Sequence, residues 1–137
     1  MEAQFYDEAI VKEDLKLLES LWDKGLTFDD FSGSKAVCAA DFRIRDWVLQ
    51  KKFKPDYLAY LFAIRRKRFD VLEWLYEYGV PLTTTLANYA VVHNNIYLLE
   101  WFESKKVLPD IVGLNCAIKK NLTETVEWMK IRGIVQN

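Results

Sequence analysis

The sequence predicts an all-α protein, an α-solenoid of five helix-turn-helix repeats and about ten helices. Three observations carry that expectation. Like residues recur every 27 positions, the apolar residues inside each unit keep a helical period, and capping residues return at fixed places. The ladders are Trp47, Trp74, Trp101 and Trp128; Ala9, Ala36, Ala63, Ala90 and Ala117; Glu19, Asp46, Glu73, Glu100 and Glu127; and Leu26, Phe53, Val80, Val107 and Ile134. All four run in one register with no insertion. The whole chain reads as a single domain of units at about 2–28, 29–55, 56–82, 83–109 and 110–137.

Each unit begins with a shorter helix that carries the alanine. A small side chain there lets neighbouring helices approach closely. An aliphatic residue follows each time (Ile10, Val37, Ile64, Val91, Ile118) and fills the space between units. These first helices are expected near 3–12, 32–40, 57–66, 84–93 and 111–120. Ser32, Gly33 and Ser34 weaken the start of the second of them. The second helix of each unit carries the tryptophan. Val71, Trp74, Leu75 and Tyr78 fall at i, i+3, i+4 and i+7 and make one apolar stripe. These helices are expected near 14–24, 41–51, 68–78, 95–105 and 122–132.

The punctuation agrees with this division. Asp29, Asp56, Thr83 and Asp110 share the position before a first helix, where a side-chain oxygen can accept a free N–H of the first turn. Gly25, Gly79 and Gly133 share the position where a second helix ends in a left-handed residue, with Lys52 and Lys106 in the other two units. Asn94 and Asn121 stand in the bend between paired helices, and Asn tolerates the left-handed conformation.

Composition limits the functional classes. Hydrophobic residues make up 51% of the chain, enough for a continuous core without metal or disulfide staples, and the net charge is −1. That charge argues against a nucleic-acid or anionic-membrane partner. Charge is uneven, however. Residues 1–30 hold nine acids and three bases, residues 31–68 three acids and ten bases, and residues 69–137 eight acids and six bases. Cys38 and Cys116 make neither a disulfide framework nor a zinc pattern. With no signal peptide and no apolar run of about 18 residues, a cytoplasmic protein without a membrane partner is expected.

The segments AIRRKRFDVLEWLYEYGV and AVVHNNIYLLEWFESKKV resemble the ankyrin repeat. Ala63 to Gly79 and Ala9 to Gly25 both span the ankyrin interval of 16 residues. An ankyrin repeat runs to about 33 residues. The missing part here falls where ankyrins carry their β-hairpin finger, so those fingers are expected to be shortened or absent, and the T-P-L-H signature is missing. Val71-Leu72-Glu73-Trp74-Leu75 with Gly79-Val80-Pro81 is similar to the short ankyrin-like repeats of large DNA viruses of protists. The resemblance implies a protein–protein interaction module, specifically a viral adaptor or decoy that captures a host protein on its concave face in the host cytoplasm.

No residue is expected to be catalytic, and no cofactor or metal is expected. His93 is the only histidine, and there is no phosphate loop, nucleophile elbow or paired-carboxylate motif. The spacing of the tryptophans puts them on the buried stripe between units, with Trp22, out of register, over the N-terminal end. The acidic ladder lies on the convex face, where it either pairs with bases such as Arg45 and Lys130 or receives a basic ligand. By ankyrin geometry, the exposed first-helix positions face the groove. Glu8, Lys35, Phe62, Tyr89 and Cys116 form one row, and Lys12, Ala39, Arg66, His93 and Lys120 another, with Arg65 and Lys119 beside them. Phe62, Arg65, Arg66, Tyr89, His93, Lys119 and Lys120 are therefore the candidate partner-binding residues. The cluster Arg65-Arg66-Lys67-Arg68 makes the groove basic, which suits an acidic peptide, since Arg contacts carboxylates bidentately. A merely solvated face, a phosphate or nucleic-acid ligand, and a self-assembling structural protein are the alternatives. Glu2, Asp7 and Glu8 at one end and Thr123, Glu124 and Thr125 at the other read as polar caps. A monomer is therefore expected over a homodimer joined through Trp128 and Met129.

Overall fold

In the computed structural model, which describes residues 2–136, the described residues form ten helices and no strand. The helices are α1 (Glu2–Val11), α2 (Leu15–Asp23), α3 (Asp30–Val37), α4 (Phe42–Gln50), α5 (Tyr57–Arg65), α6 (Phe69–Tyr78), α7 (Thr84–Val91), α8 (Ile96–Ser104), α9 (Ile111–Lys119) and α10 (Thr123–Ile131). They pack as successive helix pairs, the architecture of an α-solenoid. The chain divides into two compact units, Met1–Val80 with three pairs and Pro81–Asn137 with two. The side chain of Glu2, one of the expected capping acids, lies outside the described residues.

Local chemistry sets the helix ends. Asp29, Asp56, Thr83 and Asp110 each accept a first-turn amide, from Ser32, Leu58, Leu86 and Val112 at 2.8, 3.0, 3.3 and 3.0 Å. Each such cap is worth about 1 kcal/mol. Every second helix closes with the same six-residue hydrogen bond: Leu26 to Leu21, Phe53 to Val48, Val80 to Leu75, Val107 to Phe102 and Ile134 to Met129. The residue before each donor is left-handed. Gly25, Gly79 and Gly133 take it freely, and Lys52 (φ 68°) and Lys106 (φ 63°) adopt it as well.

The first helices abut directly, α1 on α3 and α3 on α5 in the first unit and α7 on α9 in the second. All five ladder alanines are fully buried in these contacts. Ile10, Val37, Ile64 and Val91 are buried beside them, whereas Ile118 is exposed.

The second helices reach one another through long side chains. Their tryptophan ladder departs from expectation. Trp47 and Trp128 are buried, but Trp74 and Trp101 are only half-buried. Each ring has the residue four positions on against it, while Trp47 is also enclosed by Trp22 and Phe28 and Trp74 also meets Arg45 of α4. Tyr78 stacks on Trp74 at 4.8 Å, and Lys51, Lys105 and Arg132 place cations 5.7, 5.9 and 3.7 Å from Trp47, Trp101 and Trp128. For Lys51 and Arg132 the preceding second helix supplies a further partner. Trp22 faces Lys51 at 5.3 Å, and Glu103 takes Arg132 in a bidentate pair at 2.6 and 3.1 Å. Trp22 thus packs inward, edge-on to Trp47, and does not cover an end.

Two further expectations are corrected. α3 already begins at Asp30, ahead of Ser32, Gly33 and Ser34, which are buried within it. In the first and third pairs Tyr6 and Tyr60 occupy the equivalent of Gly33 and donate their hydroxyls to the Leu26 and Val80 carbonyls at 2.5 and 2.8 Å. In the second pair the ring comes from the other partner. Phe53 replaces the aliphatic residue and fills the space over Gly33, where a Cβ would lie 2.5 Å from the ring. At the other end, Thr125 is no surface cap. It is 0% exposed, and its hydroxyl donates to Asn94 Oδ1 at 2.7 Å. Trp128 and Met129 are buried too, so neither presents an apolar face for a second copy.

Candidate functional site

The candidate binding residues fall into two sets, one in each compact unit. In the first unit α3 and α5 lie side by side and carry Phe31, Lys35, Phe62, Arg65 and Arg66, which together line a cavity of about 320 Å³. Phe62 is not exposed as its row implies. It is 6% exposed because Phe31, 49% exposed on α3, packs edge-on over it at 5.1 Å. The exposed aromatic surface therefore belongs to Phe31, which the row argument missed. Its signal was present in the sequence: a phenylalanine one helical turn before Lys35 shares that residue's face.

Cations surround this aromatic pair. Lys35 Nζ lies 4.7 Å from the Phe31 ring and 5.9 Å from the Phe62 ring, while the Arg66 guanidinium lies 5.7 Å from Phe62. Lys35 is also paired with Asp7 at 3.5 Å. Arg65 and Arg66 are exposed, the first in the last turn of α5 and the second as its C-cap. Their side chains extend from the carbonyl end of the helix, where positive charge is favoured. Arg68, the last of the basic run, faces differently: it pairs with Asp70 at 2.9 Å and donates to the Cys38 carbonyl at 3.0 Å.

A second crevice of about 330 Å³ shares Lys35 and Arg66 with the first and adds Glu13, Cys38, Ala40 and Arg68. It lies at a bend that breaks the pattern of its siblings. Glu13, Lys67, Asn94 and Asn121 turn with φ of 51°, 55°, 49° and 58°. Ala40 stands in that row with neither a carboxamide nor a long polar side chain. Here the Asp41 amide donates to Glu13 Oε1 at 2.6 Å, and the Cys38 carbonyl receives Arg68. Cys38 is no nucleophile in this setting. Burial pushes its thiol up to about 12, and Sγ contacts the Ala59 carbonyl at 3.4 Å.

In the second unit, Tyr89 and His93 on successive turns meet edge to face at 5.3 Å, both partly exposed. Lys119 ends α9 and Lys120 caps it, both exposed, on the helix that packs against α7. The acidic ladder lies on the second helices, with Glu19, Asp46, Glu100 and Glu127 exposed and Glu73 half-buried. Arg45, expected to serve it, instead places its guanidinium over the Phe42 and Trp74 rings at 4.5 and 4.3 Å.

Among the described residues no group of three or more His, Cys, Asp or Glu side chains is arranged to hold a metal ion, and no helix is long and apolar enough to cross a membrane. Compared with known proteins, the chain matches no family model and no curated protein.

Proposed function

We propose that the chain is a protein-interaction module of short ankyrin-like repeats, with no catalytic activity, whose α3–α5 face binds an acidic segment of a partner protein. The observation that carries this reading is the Phe31–Phe62 ring pair flanked by Lys35, Arg65 and Arg66. Arg and aromatic side chains together are the usual anchors of protein interfaces. A carboxylate of the partner meets Arg66 or Arg65 in a charge-assisted pair, and an apolar neighbour packs on Phe31. Asp7 and Glu13 on the same flank disfavour a continuous phosphate backbone, which leaves nucleic acid as the lesser reading. The viral resemblance makes a host cytoplasmic protein, met by a monomer, the first partner to seek.

The test compares affinity capture from host-cell lysate by the wild type and by Arg65→Glu/Arg66→Glu, with helical circular dichroism matched. A partner retained by the first and lost by the second supports the reading. Identical partner sets move the site away from this face. Retention of nucleic acid that weakens steeply with salt replaces it with the phosphate reading.

A further inference from the structure

The α2–α4 face carries a second constellation, independent of the basic cleft. Trp22 and Trp47 stand at 86° to one another with ring centroids 6.0 Å apart, forming two walls of a corner. The Lys51 ammonium occupies that corner, 5.3 Å from one centroid and 5.7 Å from the other. Both distances fall within the range of about 6 Å over which a ring quadrupole attracts a cation. A cavity of about 290 Å³ opens there, lined by Glu19, Trp22, Asp23, Trp47, Gln50 and Lys51. Two carboxylates therefore rim two orthogonal indoles, and a cation already sits between the rings.

Arg45 lies over Phe42 and Trp74 at 4.5 and 4.3 Å, so that corner pairs its cation with one indole and a phenyl ring. Trp74 is closed by a stacked tyrosine ring, and the cation over Trp128 is fixed by two hydrogen bonds to Glu103. Lys51 is held over its rings by a flexible four-carbon stem, and its primary ammonium is strongly hydrated. It gives up part of that hydration to lie between two apolar faces. A quaternary ammonium has no N–H to leave unsatisfied, is weakly hydrated, and presents methyl groups to both rings at once.

We infer that the Trp22–Trp47 corner is a binding site for a quaternary ammonium group, with Lys51 as the resident cation that the ligand displaces. Glu19 and Asp23 add attraction at the rim. Removing Lys51 therefore raises affinity, the opposite of what loss of an ordinary packing residue would do.

The probe is tetramethylammonium, titrated against the full chain while the indole N–H signals of Trp22 and Trp47 are followed by NMR. Lys51→Ala is expected to bind it about tenfold more tightly than the wild type, and Trp22→Leu in that background to lose about tenfold. Glu19→Gln/Asp23→Asn, which leaves the rings in place, should weaken binding and flatten its salt dependence. Neopentyl alcohol, the uncharged counterpart, should not compete. Choline and a trimethyl-lysine peptide distinguish the source. Equal affinities indicate a free small molecule, and a large gain for the peptide indicates a modified protein. Indole signals that stay still in Lys51→Ala, or an alcohol that binds as well as the cation, would overturn the assignment. Neither result depends on Arg65 or Arg66, so the basic cleft stands or falls separately.

Discussion

The exchange between Gly33 and Phe53 makes a sharp stability prediction. Alanine at position 33 places a Cβ 2.5, 2.6 and 2.8 Å from three atoms of the Phe53 ring. Overpacking of this kind costs about 1–3 kcal/mol. Glycine to alanine in a helix interior contributes about 1 kcal/mol in the other direction. Gly33→Ala should therefore be neutral to destabilising by about 2 kcal/mol in the wild-type background. In a Phe53→Leu background the ring is gone, and the site takes the aliphatic partner found opposite Tyr6 and Tyr60. The same Gly33→Ala change should then stabilise by about 1 kcal/mol. The coupling between the two positions is on the order of 2 kcal/mol, well above the scatter of independent sites. Urea denaturation of the four proteins, followed by circular dichroism with the slope checked for constancy, measures it. Additivity within about 0.5 kcal/mol would show that the ring swings aside without loss, and would refute the exchange of volume between the two positions.

Three other outcomes follow from the structure. Lys106→Gly, at φ 63°, should stabilise by about 1 kcal/mol in the same denaturation assay, since a Cβ in the left-handed region is disfavoured by roughly that amount. With a thiol-specific reagent at mildly alkaline pH, Cys116 should react in the folded protein while Cys38 waits for unfolding. Cys38 is buried, and its raised pKa keeps it protonated from the ordinary thiol value of 9.0 up to about 12. By the same linkage, its contribution to stability is full below the unfolded value and fades as pH climbs towards 12. Asp70 titrates below the usual carboxylate range because the Arg68 guanidinium hydrogen-bonds it. The Asp70–Arg68 contribution is present above the unfolded carboxylate value and lost as pH falls through the depressed one, so Arg68→Gln should return the NMR midpoint of Asp70 to the ordinary range.

Much of the fold was legible because repetition multiplies weak signals. One aspartate before an apolar run is a poor helix start; four capping residues at one spacing are a strong one. The same holds for Gly25, Gly79 and Gly133, whose shared position exposed Lys52 and Lys106 as left-handed residues. What a repeat register cannot show is which neighbour lies over a given side chain. Phe62 occupies an exposed backbone position and is buried because Phe31 in the preceding pair reaches across. Thr125 reads as polar and is interior because Asn94 accepts its hydroxyl proton. Trp47 is buried where Trp22 and Phe28 also enclose it, while Trp74 and Trp101 stay half-buried under Tyr78 and Lys105. In each instance the deciding partner belongs to another helix or another turn, and its size and polarity vary from unit to unit.

The irregular bend at Ala40 reaches beyond its own pair. Glu13 from the first pair and Arg68 from the third both hydrogen-bond the backbone of the second, at Asp41 and at Cys38. In a one-dimensional stack, end units fray while inner ones persist, because each pair supplies its own backbone partners. Here the inner pair borrows from both sides. Fraying of α1 and α2 withdraws an acceptor from the middle of the first unit, and loosening of α6 withdraws a donor. These two hydrogen bonds couple the three pairs of the first unit, so their amides should exchange with solvent together and not in a gradient from the end.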